Sequence, residues 1–105
     1  MGLVADFSQS NIEGEIVSLI QNSRKNFDGM IINAAAFTHT SVAIRDSLAL
    51  FSGMIVEVHI SNIYGREEFR HTSMISSISN GVIVGLGAQS YNLAMRALAE
   101  SFLTE

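Results

Sequence analysis

Three polar clusters follow apolar runs in this chain, and each carries side chains capable of acid–base or oxyanion chemistry. The richest follows Met54-Ile-Val-Glu-Val-His-Ile60, which breaks into Ser61-Asn62 and then into a charged segment holding Arg66 and Arg70. His59 is a candidate general acid or base, because imidazole changes charge near neutrality. Arg70 can clamp an oxygen-rich ligand with its planar fork. The plainer reading makes His59 a satisfied core histidine and Arg66 to Arg70 a solvated turn. The second cluster runs from Asn33 to Thr40. Asn33 follows directly on an apolar run, so its amide meets either a ligand or its own backbone in an Asx turn. His39 lies beside a predicted helix N-terminus, where the dipole disfavours protonation, so a neutral hydrogen-bonding histidine is expected. Asp46, further along that helix, reads by itself as a solvated residue paired with Arg45 or a neighbour. Ser8 to Asn11 form the first cluster.

These residues need elements to hold them. Leu3-Val-Ala-Asp-Phe7 reads as a first strand, followed by a helix capped by Ser10 or Asn11, with Glu13 in its first turn. Ile12, Ile16, Val17, Leu19 and Ile20 recur at helical spacing, and this helix fades near Arg24. Met30–Asn33 is a second strand. Thr38-His-Thr-Ser41 offers hydroxyls to cap a second helix, ended by Ser52-Gly53. Met54–Ile60 is a third strand. A Ser-rich connection, Ser76 to Asn80, leads to a last strand, Gly81-Val-Ile-Val-Gly85, and a final helix from about Ser90. Alternating short apolar strands and helices give an α/β protein with a parallel sheet covered on both faces. In such sheets a ligand lies outside the carboxyl ends of the strands. Chain order alone therefore brings the three polar clusters to one edge.

Composition narrows the possibilities. At 105 residues the chain is one domain, and 48% hydrophobic content is enough for a small core. A net charge of −4 without a basic cluster argues against nucleic acid. No cysteine is present, so disulfides and thiolate metal sites are excluded. No carboxylate or third ligand stands near His39 and His59 at metal-binding spacing. No serine sits on a nucleophile elbow. Gly85-Leu-Gly87 precedes a helix, but the third glycine of a dinucleotide loop is missing. Neither a leader nor a membrane span is expected, and a cytoplasmic protein is the default.

Taken together, Gln9-Ser-Asn-Ile-Glu-Gly14, Ile32 to Asp46, Glu57 to Asn62 and Arg66-Glu-Glu-Phe-Arg70 resemble the signatures of type II 3-dehydroquinate dehydratases. Gly81 to Gly87 with Tyr91 is similar to that family's last strand and helix. The resemblance covers essentially the whole chain. It implies a flavodoxin-like fold, a homo-oligomer (a dodecamer built from trimers), and cofactor-free anti elimination of water from 3-dehydroquinate to 3-dehydroshikimate, in the shikimate or quinate pathway. It casts His59 as the acid protonating the departing hydroxyl. Asn33, His39, Ile60, Ser61 and Arg70 become substrate ligands, and Asp46 a residue reaching a neighbouring subunit's site.

Departures are informative too. Ala34-Ala35-Ala36 replaces a stretch in which the family carries glycine, and Met54 stands where it often has proline. The family's N-terminal strand, its lid bearing the basic tyrosine and an arginine, and its first helix have no counterpart before Leu3. Tyr64 and Tyr91 lie in other motifs. The expectation is thus a single N-terminally truncated domain. Its sheet has either an unpaired gap or a forced pairing of Leu3–Phe7 with Met30–Asn33, and turnover is weak. The alternative is a non-catalytic homologue that binds the sugar acid.

Overall fold

The computed structural model describes residues 2–104. Its centre is a parallel sheet of β1 (Gly29–Ile32), β2 (Met54–His59) and β3 (Gly81–Val84), in that spatial order. Three helices cover it: α1 (Glu13–Ser23), α2 (Val42–Ala49) and α3 (Gln89–Thr104). Ile32 pairs with Glu57 and His59 with Val84, so the carboxyl ends of the strands are nearly level.

Strand periodicity sorts the side chains of β2 onto two faces. Ile55 packs with Ile20 of α1, Ile44 and Leu48 of α2, and Phe51. Val56 and Val58 point the other way, into a second cluster with Ala94 and Leu98 of α3. Helices therefore lie on both faces, as the apolar pattern requires. Each fully buried aliphatic side chain contributes about 1.5–3 kcal/mol of transfer free energy. Glu57 and His59 share the Ile55 face, toward α2.

The helix boundaries have local causes. The Ser41 hydroxyl accepts from the Ile44 N–H at 2.9 Å and starts α2 as an N-cap. At α1 the N-cap position belongs to Ile12, with no side-chain cap. Ser10 serves two residues earlier: its hydroxyl accepts from the Ile12 N–H at 3.0 Å and donates to Glu15 at 2.5 Å. Of the apolar residues expected on the inner face of α1, Ile16, Val17 and Ile20 join the core, whereas Ile12 and Leu19 are exposed.

One expected element does not form. Leu3–Phe7 is irregular, and Val4 and Phe7 are 94% and 86% exposed. A β-strand is stabilised by its neighbour more than by its own residues. Here β1 pairs only with β2, and among the described residues no strand pairs with its outer edge. Of the two outcomes foreseen, the unpaired edge is the one observed.

The segment after β1 coils into a 3-10 turn, Ala35–His39. Ala35 adopts φ +49°, the left-handed region, and among the described residues no other non-glycine residue has a positive φ. A Cβ there costs about 1–2 kcal/mol. Replacing Ala35 with glycine relieves this cost, offset in part by the freer unfolded chain. Ala35→Gly is expected to stabilise the fold by about 0.5–1 kcal/mol in urea unfolding; a lower midpoint would contradict the strained backbone.

Candidate active site

The site grows from a charge inside a strand. Glu57 sits mid-strand between Val56 and Val58 and is 0% exposed. A buried carboxylate survives only with hydrogen-bond donors around it. Glu57 has three: His59 Nε2, the Ser73 hydroxyl at 3.0 Å and the Ser76 hydroxyl at 2.5 Å. Burial pushes its carboxyl up. The bonds from His59 and Ser76, the positive charge His59 can carry, and the bond from Ser73 more than offset that, leaving Glu57 below the ordinary glutamate value. Glu57 is therefore ionised at neutral pH and can only accept.

That fixes the histidine. Glu57 has no proton to give, so His59 Nε2 must donate to it. The other ring nitrogen, Nδ1, has no hydrogen-bond partner among the described residues. It is the nitrogen that can hold and deliver a proton when the ring is charged. Two residues apart on a strand, Glu57 and His59 lie on one face by construction.

His39 lies alongside. Its ring stacks on that of His59 with centroids 6.4 Å apart and planes 20° from parallel. Its Nδ1 meets the Thr72 carbonyl at 2.9 Å. A carbonyl only accepts, so Nδ1 of His39 carries a proton, and in the neutral ring Nε2 is the acceptor. Phe69 meets His39 edge-on at 6.4 Å, and the Arg70 guanidinium lies 4.9 Å from the centre of the Phe69 ring. Arg70 Nε also donates to Glu67 at 3.0 Å. That bond, foremost, holds the Glu67 carboxyl below its usual range.

Beyond His59 the chain turns. Its carbonyl and that of Ile60 accept from the N–H groups of Gly85 and Gly87, each at 3.0 Å. Both glycines have positive φ, +86° and +64°. A Cβ on Gly85 would come within 3.2 Å of the Asn62 side chain, so glycine is required for this close approach. Ile60 and Ser61 are exposed at the strand end. Among the described residues, no backbone carbonyl outside the sheet accepts from the N–H of Ser61.

The structure thus brings His59, His39, Ile60 and Ser61 to one sheet edge, with Arg70 joined through Phe69. Asn33 reaches that edge from the opposite face. Its Oδ1 accepts from the Ala35 N–H at 3.1 Å, an Asx turn, and its amide donates to Tyr91 Oη of α3 at 2.9 Å. Asp46 stands apart, exposed on α2, and among the described residues it forms no salt bridge with Arg45 or a neighbour. Arg45 instead donates to the Met74 carbonyl at 2.8 Å and the Ser77 hydroxyl at 2.9 Å. Glu57, Ser73, Ser76 and Tyr91 were not singled out as site residues by the sequence. For Glu57 a signal existed: a lone acid inside an apolar strand, two residues before a histidine. Among the described residues no cluster of three metal-ligating side chains occurs, and no helix is long and apolar enough to cross a membrane.

A parallel α/β sheet with a carboxylate-held histidine at the carboxyl end of its middle strand is the frame of an acid–base site. The chain belongs to the class II dehydroquinase family, whose description, Dehydroquinase class II, matches residues 1–99. It is 55% identical over 101 residues to a 3-dehydroquinate dehydratase of a Nitratiruptor species, covering 96% of this chain and 65% of that protein. The 3-dehydroquinate dehydratase of Prochlorococcus marinus is 51% identical over 98 residues, covering 93% of this chain and 68% of its own length. The crystal structure of type II dehydroquinase from Propionibacterium acnes superposes with a TM-score of 0.85 at 40% identity, covering 89% of this chain and 64% of that one. That from Butyrivibrio crossotus gives the same TM-score, 0.85, at 49% identity, with 87% and 64% covered. The chain therefore spans about two thirds of the length of these relatives.

Because Glu57 titrates lower in the folded than in the unfolded chain, its contribution to stability is complete above the ordinary glutamate value and is lost as pH falls through its folded value. Thermal melts are expected to hold steady through mild acid and then drop below the ordinary glutamate range. A melting temperature that begins falling near neutral pH would point instead to protonation of a histidine.

Proposed function

We propose that this chain carries the acid and substrate-binding half of a 3-dehydroquinate dehydratase, a lyase converting 3-dehydroquinate to 3-dehydroshikimate by anti elimination of water. One observation carries the reading: the buried Glu57 carboxylate holds His59 by Nε2 and leaves Nδ1 as the acid nitrogen at the strand end.

In this mechanism a base takes the α-proton, and the ketone carries the resulting enolate charge. The electrons then reform the carbonyl and expel the hydroxyl, which takes the Nδ1 proton of His59 and leaves as water. Glu57 steadies the imidazolium beforehand and afterwards accepts the Nε2–H that His59 keeps. Ile60 and Ser61 receive the substrate carboxylate, for which a turn presenting N–H groups is suited. His39 Nε2 accepts from a substrate hydroxyl, and Arg70 and Asn33 complete the pocket. Neither Tyr91, tied to Asn33, nor Tyr64, against the His71 ring, is placed to be the base. We assign that role to residues outside these 105, in keeping with the greater length of the relatives.

The same reading makes the protein a cytoplasmic member of the shikimate or quinate pathway and a homo-oligomer, a trimer within a dodecamer. Asp46 reaches across to a neighbouring subunit. Its exposure on α2 beside exposed Val42 and Leu50 supports a contact there.

Calorimetry with 3-dehydroquinate is expected to register binding by this chain. Adding a peptide that spans the N-terminal third of a relative is expected to produce the rise in absorbance of the conjugated product. With the peptide present, His59→Ala should lower turnover about 10²–10⁴-fold while changing binding only slightly. Binding without turnover in the complemented mixture would favour a sugar-acid-binding homologue, and neither binding nor turnover would refute the assignment.

A further inference from the structure

We propose that Ser73 and Ser76, the two hydroxyls on the turn between the 3-10 segment Glu68–His71 and β3, are positioning residues for His59, acting through Glu57. The inference deepens the acid role given to His59 and rests on that reading for its catalytic consequence alone.

The turn is built around these two side chains. Ser73 Oγ donates to Glu57 Oε2 at 3.0 Å, and the same oxygen accepts the N–H groups of Ile75 at 3.1 Å and Ser76 at 3.0 Å. Ser76 Oγ donates to the other carboxylate oxygen, Oε1, at 2.5 Å. Each oxygen of Glu57 thus has its own hydroxyl, and Oε2 also receives His59 Nε2. A carboxylate gripped at both oxygens cannot rotate away from the imidazole. Between the two serines, Ile75 is fully buried in the core beside Ile55 and holds the turn down. Arg45 of α2 fastens the turn's outer side at Met74 and Ser77.

Other titratable or charged groups on the surrounding elements are few. His39 stacks on His59 from the turn after β1, and Arg45 approaches from α2. On the 3-10 segment Arg70 is paired with Glu67, and His71 lies against the Arg66 carbonyl. None of these donates to Glu57, so the two serines and His59 share that task. Removing a hydroxyl leaves the buried anion short of one donor. His59 then holds its Nδ1 proton more tightly, because the charge of the imidazolium compensates the less satisfied carboxylate.

The test reads the proton on His59 directly, by long-range ¹H–¹⁵N correlation of the histidine rings across pH, and needs no turnover. The parent chain should show neutral His59 as the Nε2–H tautomer. Ser76→Ala, which removes a contact to Glu57 alone, should raise the His59 midpoint by about one pH unit. Ser73→Ala should raise it in the same direction. Ser76→Thr, which keeps a hydroxyl, should restore the parent value. Ser77→Ala is the control: it loosens the same turn at Arg45 without touching Glu57, and His59 should not move. An unshifted midpoint in a folded Ser76→Ala chain would overturn the proposal. An equal shift in Ser77→Ala would do so too, since turn rigidity would then be the cause. If the chain neither binds nor turns over 3-dehydroquinate, these spectra still decide whether the serines set the state of His59.

Discussion

A single negative charge in the middle of a buried strand organises the functional end of this molecule. Removing a carboxylate from water is costly by many kcal/mol, and only donors at close range make it tolerable. Glu57 obtains them from its own strand and from the turn after it. The segment between β2 and β3 therefore cannot be an arbitrary connection. It must return over the carboxyl end of β2, lay Ser73 and Ser76 on the two oxygens, and bury Ile75 to stay there. The carbonyl it presents at Thr72 then sets the tautomer of His39. One buried charge thereby fixes a loop, and the loop and charge between them fix two histidines.

The sheet supplies the remaining geometry. Parallel strands in near register end together, so whatever follows each strand is delivered to the same edge. Two left-handed glycines let β3 turn tightly into α3 against Asn62, closing the far side. The price is strain on the near side, where Ala35 takes a backbone conformation that suits glycine. The Asx turn of Asn33 holds that backbone in place through the Ala35 N–H.

Much of this was legible from the sequence, for identifiable reasons. Three strands and three helices follow from apolar runs and spacing, and Ser41 reads as a cap because a hydroxyl there meets unsatisfied N–H groups. His59 and His39 follow from their place at and after strand ends, and the roles of Ile60 and Ser61 from the family resemblance. What escaped depends on partners. Leu3–Phe7 has the composition of a strand, but a strand exists only where a neighbour accepts its ladder. Arg45 reads as a match for Asp46 because they are adjacent, yet adjacent residues on a helix do not face each other. Asn33 was open between ligand and Asx turn; its Oδ1 makes the turn, and its amide is taken by Tyr91, 58 residues away. The serines looked like a polar linker, since nothing in their order says that a charge awaits them.

The donor set around Glu57 is also local in sequence. Glu57, His59, Ser73 and Ser76 all fall between the start of β2 and the start of β3, and the outer supports, His39 and Arg45, belong to the segment just before β2. None of its donors comes from α1, from the irregular residues 2–12 or from α3. An unpaired β1 edge can therefore fray without loosening the grip on Glu57, because β2 is flanked by strands on both sides. On the proposed reading, proton donation at His59 and proton abstraction at the base reside in separable parts of the fold. In that arrangement the donors that hold Glu57 against His59 are in place before any substrate or base arrives.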